Sequence, residues 1–232
     1  MNAGRVLVVD DEPQIRRVMR TALVANGYQM HEARTGEEAV EILRENNFDV
    51  ILLDMNMPGM GGMAACREIR AASEAAIIVL SVRDSERDKI AALDAGADDY
   101  ITKPFSINEL MARIRANLRR LPSQQDHADP IFVSDELTVD LSARKVIVRN
   151  RPVRLTPKEF ELLQYLLSNA NKAIAHRKLL QTLWGPEYGD EVEYLRVFVS
   201  QLRKKIEVDP AHPRYILTEP WVGYRFALSP KV

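Results

Sequence analysis

Short strand-like runs alternate with amphipathic segments along the first half of the chain. The segments 13–26, 36–46, 62–72, 86–95 and 107–120 have helical spacing. The runs between them predict five strands, "RVLVVD", "YQMHEA", "DVILLD", "AIIVLS" and "DYIT". Strict alternation of strands and helices favours a parallel sheet covered on both faces. Thr35 with Glu38 and Ser106 with Glu109 have capping-box spacing, which supports two of the helix starts independently.

The pattern changes after residue 120. Residues 121–130, "LPSQQDHADP", have few apolar side chains and two prolines, so we predict a linker there. The following stretch predicts short antiparallel strands, then helices that begin at Thr156, near 176 and near 193, and last a β-hairpin in "RYILTEPWVGYRF". We therefore expect one domain over 1–120 and an α+β domain over 131–232.

The composition is that of a globular protein without a membrane segment. The 232 residues are 46% hydrophobic and 28% charged, and no apolar run is long enough to span a bilayer. The first residues contain too short an apolar run for a secretory signal, and Cys66 is the one cysteine. We expect a cytoplasmic protein that does not bind membranes, with Cys66 in a packing or surface role.

Charge is distributed unevenly between the two halves. Residues 1–120 contain 16 Lys and Arg against 19 Asp and Glu, whereas residues 131–232 contain 16 against 12. An acidic first half and a basic second half predict different binding partners.

Polar side chains follow four of the predicted strands where each strand ends. Asp10 and Asp11 end the first strand and Asp54 ends the third. Ser81 ends the fourth, and Lys103 follows the fifth. Ligands of open parallel sheets bind beyond the carboxyl ends of the strands, so we expect these side chains to meet in one crevice.

Three carboxylates without a soft ligand favour Mg²⁺, and a cation beside Lys103 suits in-line phosphoryl transfer. Asp54 is the best candidate for the nucleophile, because an apolar strand fixes its position and the loop "MPGMGG" leaves it open to approach. In an alternative interpretation, the acids of "DDE" only cap the first helix. The sequence contains no P-loop or dinucleotide motif. Asn56 cannot supply the acid that a haloacid-dehalogenase phosphatase requires two residues after its nucleophile.

Four segments in this order and spacing closely resemble the receiver domain of two-component response regulators: "VVDDEP", "DVILLDMNMPGMGG", "IIVLSVRD" and "AALDAGADDYITKPFSINELMARIRANLRR". The resemblance implies a flavodoxin-like sheet of order 2-1-3-4-5 and phosphorylation of Asp54 by a sensor histidine kinase. It also implies Mg²⁺ ligation by Asp11, Asp54 and the backbone carbonyl of Asn56, with Asp10 acting through water.

The resemblance further assigns the switch and a dimer face. Lys103 would pair with the phosphoryl group, its bond to Pro104 would be cis, and Ser81 with Tyr100 would form the switch pair. In this family the 89–120 face forms a two-fold dimer through intermolecular ion pairs. The matching positions are Lys89, Asp98, Asp99, Glu109, Arg113 and Arg120. Solvated surface charges are the alternative interpretation.

The helix predicted near 193–207 separates an apolar stripe from a basic face. Leu195, Phe198, Val199, Leu202 and Ile206 form the stripe. The basic face contains Arg196, Ser200, Arg203 and Lys204. Such a helix suits a DNA major groove, although a solvated charged face has the same pattern.

Residues 131–228 resemble the winged-helix effector domain of OmpR/PhoB-type transcription factors. The resemblance implies a recognition helix near 193–207, a loop "GPEYGDEV" that contacts RNA polymerase, and a hairpin wing in the minor groove. Several segments, among them "WGPEY" and "GYRF", look most like the branch that regulates Kdp-type potassium transport.

The wing departs from many relatives in that Glu219, Pro220 and Trp221 replace a basic turn. A carboxylate near phosphates would weaken binding. We therefore expect the wing's DNA contacts at Arg214, Thr218, Tyr224 or Arg225.

We expect a non-enzymatic, phosphorylation-regulated transcription factor that dimerises on direct-repeat promoter sites, with potassium-transport genes as candidate targets. Two alternatives remain: a phosphorylation-independent DNA binder with a degenerate receiver, and an aspartyl-phosphate phosphohydrolase.

Overall fold

The computed structural model describes residues 4–118, 131–134 and 136–228. The chain divides into two compact units, Met1–Arg119 and Arg120–Val232. The predicted linker, 121–130, lies outside the described residues. No helix in the described part of the chain is long and apolar enough to cross a bilayer.

The first unit contains a five-stranded parallel sheet. Its strands are β1 (Arg5–Val9), β2 (Gln29–Ala33), β3 (Val50–Asp54), β4 (Ala76–Ser81) and β5 (Asp99–Thr102). They are ordered β2-β1-β3-β4-β5, and every pairing is parallel. The predicted order is therefore confirmed. The order reverses between β1 and β3, and a crevice is expected at that point of the sheet.

Five helices accompany the sheet. They are α1 (Pro13–Ala25), α2 (Gly36–Glu45), α3 (Gly62–Ala72), α4 (Glu86–Asp94) and α5 (Ile107–Leu118). The Thr35 hydroxyl accepts the Glu38 backbone N–H at 3.2 Å, and the Ser106 hydroxyl accepts the Glu109 backbone N–H at 3.1 Å. At both helices the hydroxyl half of the predicted capping box is present, because each hydroxyl satisfies an otherwise unpaired N–H of a first turn. The Glu38 carboxylate accepts the Arg34 N–H at 2.7 Å and not that of Thr35.

The core of this unit explains why the strand ends are fixed in position. Every residue of β3 and β4 is buried. The strand residues Val8, Leu52 and Ile78 belong to one apolar cluster with Leu23 of α1 and Ile114 of α5. Close packing on both faces leaves the strands little freedom, so the residues that follow them have well-defined positions.

Cys66 is fully buried in α3, and burial raises the pKa of its thiol to about 12. The thiol is therefore protonated at neutral pH and has a packing role.

In its described residues, the second unit has two antiparallel sheets and three helices. The first sheet consists of β6 (Ile131–Val133), β7 (Leu137–Asp140), β8 (Lys145–Val148) and β9 (Arg151–Val153). The helices are α6 (Pro157–Ser168), α7 (His176–Leu183) and α8 (Val192–Ile206). The second sheet consists of β10 (Ile174–Ala175), β11 (Ile216–Glu219) and β12 (Gly223–Phe226), in the order β10-β12-β11. The predicted winged-helix class is confirmed, and the hairpin β11–β12 is its wing.

Strand β10 is absent from the prediction, because a strand of two residues is too short to show a periodicity. It pairs with β12 at close range: a Cβ on Gly223 would lie 1.9 Å from the Ile174 carbonyl oxygen. Only glycine allows this approach of the two backbones.

Two sequence features position the helices of this unit. Thr156 and Glu159 form a complete capping box at α6, with the Glu159 carboxylate accepting the Thr156 N–H at 2.7 Å. The predicted apolar stripe of α8, Leu195 to Ile206, is buried. Burial of that stripe turns the opposite face of α8 outward.

Candidate functional site

Three carboxylates meet at the carboxyl ends of β1 and β3. Asp10, Asp11 and Asp54 each offer an oxygen, and these oxygens lie within 4.8 Å of one another. Asp10 is fully buried, Asp54 is 2% exposed, and Asp11 is exposed. The crevice therefore brings together the acids that the strand pattern singles out, with one of them open to solvent.

Lys103 supplies a positive charge to this cluster. Its Nζ lies 3.0 Å from Asp54 Oδ1 and 3.3 Å from Asp10 Oδ2. Burial alone lowers the pKa of Lys103, but hydrogen bonds and charge attraction from Asp54 and Asp10 outweigh it and raise the pKa above its ordinary value. The Lys103–Pro104 peptide is cis, and the Lys103 N–H donates to the Ser81 carbonyl at 2.6 Å. The ammonium is thus charged at neutral pH and aimed at Asp54.

The pKa of Asp10 is raised, chiefly by burial and further by the charge of Asp54. The Glu12 backbone N–H and Lys103 oppose this shift without cancelling it. One ammonium beside three carboxylates leaves an excess of negative charge. Hard oxygen ligands with excess negative charge suit Mg²⁺, so the residues of the crevice fit that ion.

The loop after β3 leaves the crevice accessible. Asn56 is exposed in this loop. Gly62 at the start of α3 approaches Met55 so closely that a Cβ would lie 2.4 Å from the Met55 Cα. Met60 N–H donates to the Glu37 carboxylate at 2.9 Å, which ties the loop to α2. Small residues therefore keep the loop folded back beside Asp54.

Ser81 and Tyr100 both contact the backbone of Arg83. The buried Ser81 hydroxyl accepts the Arg83 N–H at 3.1 Å, and the Tyr100 hydroxyl donates to the Arg83 carbonyl at 2.6 Å. Tyr100 is 4% exposed, and burial raises the pKa of its phenol. Its ring is therefore turned inward, with the phenol protonated as a donor.

Sequence reasoning missed Arg16, which supports the crevice from α1. Its guanidinium is largely buried, and Nη1 donates to the Asp10 carbonyl at 2.7 Å while Nε lies 3.3 Å from the Glu32 carboxylate. The available signal was its helical spacing with Met19 and Leu23, which puts an arginine on the buried face of α1.

The predicted dimer residues make ion pairs within the chain. Lys89 Nζ lies 2.5 Å from Asp84. Arg113 lies 3.3 Å from Glu109 and 3.8 Å from Asp99. The structure therefore brings Glu109, Arg113 and Asp99 together.

Asp98 is fully buried, with Oδ2 lying 2.5 Å from Arg70 and accepting the Ile77 N–H at 2.9 Å. Arg120 lies outside the described residues.

On α8, Arg196, Ser200 and Lys204 are exposed. They recur every four residues, so they form one row along the helix surface. Arg196 also pairs with Glu193 one turn earlier. This row, which we call the basic row, has the length and chemistry of a helix face that contacts DNA.

Arg203 points instead toward the wing. Its Nη2 donates to the Ile216 carbonyl at 2.6 Å and to the Thr218 hydroxyl at 2.9 Å. The guanidinium also lies 5.8 Å from the ring centroid of the buried Tyr224. Burial lowers the pKa of Arg203 from its very high ordinary value. Arg203 therefore joins α8 to β11, and a groove of about 350 Å³ lies between the basic row and Thr218.

The two arginines among the predicted DNA contacts of the wing are paired with acids. Arg214 Nη1 lies 3.2 Å from Glu136, and Arg225 Nε lies 2.5 Å from Glu219. Among the predicted DNA contacts of the wing, Thr218 is exposed and borders the groove.

Two family models match the chain. Residues 6–115 match the response regulator receiver domain, and residues 150–226 match the C-terminal domain of transcriptional regulatory proteins.

Two curated relatives match over nearly their full length. The chain is 46% identical over 221 residues to the transcriptional regulatory protein KdpE of Mycobacterium tuberculosis (strain H37Rv), covering 95% of this chain and 98% of that protein. It is 46% identical over 223 residues to the KDP operon transcriptional regulatory protein KdpE of Escherichia coli (strain K12), covering 96% and 99%.

A solved structure of a RitR mutant aligns with a TM-score of 0.76 at 23% identity, covering 96% of this chain and 98% of that one. This likeness concerns the fold.

Proposed function

Because the chain belongs to the response regulator family that includes KdpE, with a receiver domain followed by a DNA-binding transcriptional regulatory domain, we propose that Asp54 is its phosphoacceptor. The chain is a regulator of transcription and not an enzyme. The observation that carries the proposal is the contact of Lys103 with Asp54 inside a cluster of three carboxylates.

The donor is a phosphohistidine of a partner kinase. An Asp54 carboxylate oxygen attacks the phosphorus, and the histidine leaves. Lys103, 3.0 Å from Asp54, offsets the charge on the phosphoryl oxygens. Bound Mg²⁺ would stabilise the same charge. Asp11, Asp54 and the Asn56 carbonyl are the proposed direct ligands, and Asp10 acts through water. The oxygen chemistry of the crevice supports this set.

The switch proposed from the sequence is Ser81 with Tyr100. The Ser81 hydroxyl would move from the Arg83 N–H to a phosphoryl oxygen, and the inward Tyr100 ring would be favoured by that state. Phosphorylation then acts as a population shift between two arrangements.

The 89–120 face is the proposed dimer surface. Lys89 with Glu109, and Asp99 with Arg113, would form pairs across the two-fold axis. Asp98 and Arg120 also belong to the set that the family resemblance assigns to this face. The present pair of Lys89 with Asp84 is partly exposed, and exposed pairs contribute little stability, so exchange for an intermolecular pair costs little.

DNA binding is proposed for the basic row, with Arg203 placing the wing beside it. A dimer presents two such helices to direct-repeat half-sites and raises their effective concentration. The loop 185–192 is the proposed RNA polymerase contact. Because two relatives are named as KdpE regulators, one of them of the KDP operon, we propose potassium-transport genes as targets. A cytoplasmic location stays a prediction.

Size exclusion with beryllofluoride and Mg²⁺, which together mimic the phosphoryl group, tests the switch. Wild type is expected to shift to a dimer, and Asp54→Ala is expected to stay monomeric. Lys89→Ala should weaken the dimer without preventing beryllofluoride binding.

A wild-type protein that binds DNA equally with and without beryllofluoride, and does not dimerise, would instead support the phosphorylation-independent alternative. Release of inorganic phosphate from a phosphate ester, lost in Asp54→Ala, would support the phosphohydrolase.

A further inference from the structure

The tip of the wing contains a tryptophan in an unusual backbone conformation. Trp221 has φ +64°, in a turn closed by the Val222 N–H donating to the Glu219 carbonyl at 3.1 Å. Pro220 followed by a residue with positive φ matches a type II turn, which favours glycine or asparagine at the third position. A bulky aromatic residue is disfavoured there.

Trp221 does not stabilise the fold through packing. Its exposure is 101%, which equals that of an extended chain, and the neighbouring Val222 is 44% exposed. The other tryptophan, Trp184, is fully buried in the same unit. A large exposed ring that conflicts with its local backbone indicates a role in binding.

The wing and the basic row form one continuous surface. The Thr218 hydroxyl accepts a hydrogen bond from Arg203 of α8 at 2.9 Å, and the groove beside it is bordered by Ser200 and Arg196. Trp221 lies three residues beyond Thr218, in the turn that joins β11 to β12. Because α8 and the hairpin share this surface, a duplex whose major groove held the basic row would place its neighbouring backbone and minor groove beside the hairpin.

The charge at the tip of the wing is offset, which favours an apolar contact with DNA over an ionic one. The Glu219 carboxylate lies 2.5 Å from Arg225 Nε, so its charge is offset within the hairpin. The tip therefore neither repels phosphates strongly nor attracts them, and its contact area comes from the indole ring. Apolar side chains that enter the minor groove contact sugars and base edges without releasing counterions.

We propose that Trp221 contacts DNA directly, with its indole packed in the minor groove next to the major groove that α8 occupies. This contact supplies affinity that does not depend on salt, whereas the basic row supplies the salt-dependent part. The proposal rests on the proposed DNA contact of α8.

The test uses full-length protein and a duplex of about 25 base pairs, selected by wild type from a random pool, which accommodates two half-sites. Trp221→Asn keeps a residue that tolerates positive φ, so the turn is expected to fold normally. Its affinity should fall roughly 5- to 50-fold at fixed salt, with the slope of log K against log salt unchanged. Trp221→Phe should retain most of the affinity. Lys204→Gln is the matched control and should reduce the slope by roughly one.

Acrylamide quenching gives a second measurement. Because Trp184 is buried, quenching of the free protein reports Trp221. DNA should protect it in wild type and leave the remaining emission of Trp221→Asn unchanged.

Wild-type affinity in Trp221→Asn, or full quenching in the DNA complex, would overturn the proposal. So would weaker self-association of Trp221→Asn without DNA, which would assign the ring to a second copy of the chain. If wild type enriches no duplex, the proposed function of α8 fails together with this inference. Normal binding by Trp221→Asn would overturn the Trp221 contact alone.

Discussion

The acidic crevice and the basic row differ in the burial of their charges as well as in their sign. In the crevice, Asp10 and Asp54 are buried beside Asp11, and only part of their charge is offset by Lys103. In the basic row, Arg196 and Lys204 are exposed to water. Burying like charges together is unfavourable until a cation binds, whereas exposed cations cost the fold almost nothing. The charge of the crevice therefore suits a cation, and the charge of the basic row suits a polyanion.

The largest expected effect is the loss of phosphorylation in a variant of Asp54, because Asp54 is the proposed phosphoacceptor. Asp54→Asn should gain no phosphoryl group from phosphoramidate with Mg²⁺, as measured by intact-protein mass. Asp49→Asn, at the opposite end of β3, is the matched control and should be phosphorylated as wild type is. Equal phosphorylation of Asp54→Asn and wild type would place the acceptor elsewhere.

Two buried carboxylates should respond differently when their charge is removed. Glu207 accepts backbone N–H groups of Arg214, Tyr215 and Ile216 at 2.9, 3.0 and 2.9 Å. Glu207→Gln replaces one accepting oxygen by a donor and should lower the unfolding free energy of the second unit by about 1–3 kcal/mol. Asp10→Asn instead relieves repulsion in the crevice, and without Mg²⁺ it should raise the unfolding free energy of the first unit by about 1 kcal/mol.

Urea unfolding followed by tryptophan fluorescence reports the second unit, where both tryptophans lie, and circular dichroism reports the whole chain. A large destabilisation by Asp10→Asn would show that Asp10, like Glu207, mainly stabilises the fold.

Two adjacent cations of α8 are expected to differ in role: Arg203 stabilises the fold, and Lys204 binds DNA. Arg203→Gln removes the hydrogen bonds from α8 to Ile216 and Thr218, so it should lower the unfolding free energy by about 1–2 kcal/mol. Lys204→Gln should leave stability within about 0.5 kcal/mol and weaken DNA binding mainly at low salt. If both variants lost only DNA affinity, Arg203 would be a DNA contact and not a structural link.

The placement of the crevice residues could be predicted from the sequence because backbone geometry determines it. Parallel strands end at one edge of the sheet, so Asp10, Asp54 and Lys103 converge whatever their side chains do. The same holds for the helix starts, where Thr156 and Glu159 satisfy local N–H groups.

Side-chain partners could not be predicted, because they depend on packing between distant segments. Arg203 and Tyr224 lie at positions suited to DNA contact, but α8 and the wing turn them toward each other. Asp98 matches a dimer position, yet Arg70 of α3 binds it inside the chain. Periodicity indicates which face a residue occupies and leaves open what touches that face.

The smallest expected effect is a pH dependence of stability that arises from His176, which connects α7 to the wing. Its ring packs against Tyr224 with 5.4 Å between centroids, and its backbone N–H donates to the Val222 carbonyl at 3.1 Å. Burial, and then the charge of Arg196, lower the pKa of His176 below its ordinary 6.5. A lowered folded-state pKa means that the unfolded chain binds the proton more readily, so this stability is present above about pH 6.5 and is lost as pH falls through the folded value. The unfolding free energy of wild type should therefore decline slightly more than that of His176→Gln between about pH 6.5 and 5. Parallel pH profiles of the two proteins would show that protonation of His176 does not weaken the wing.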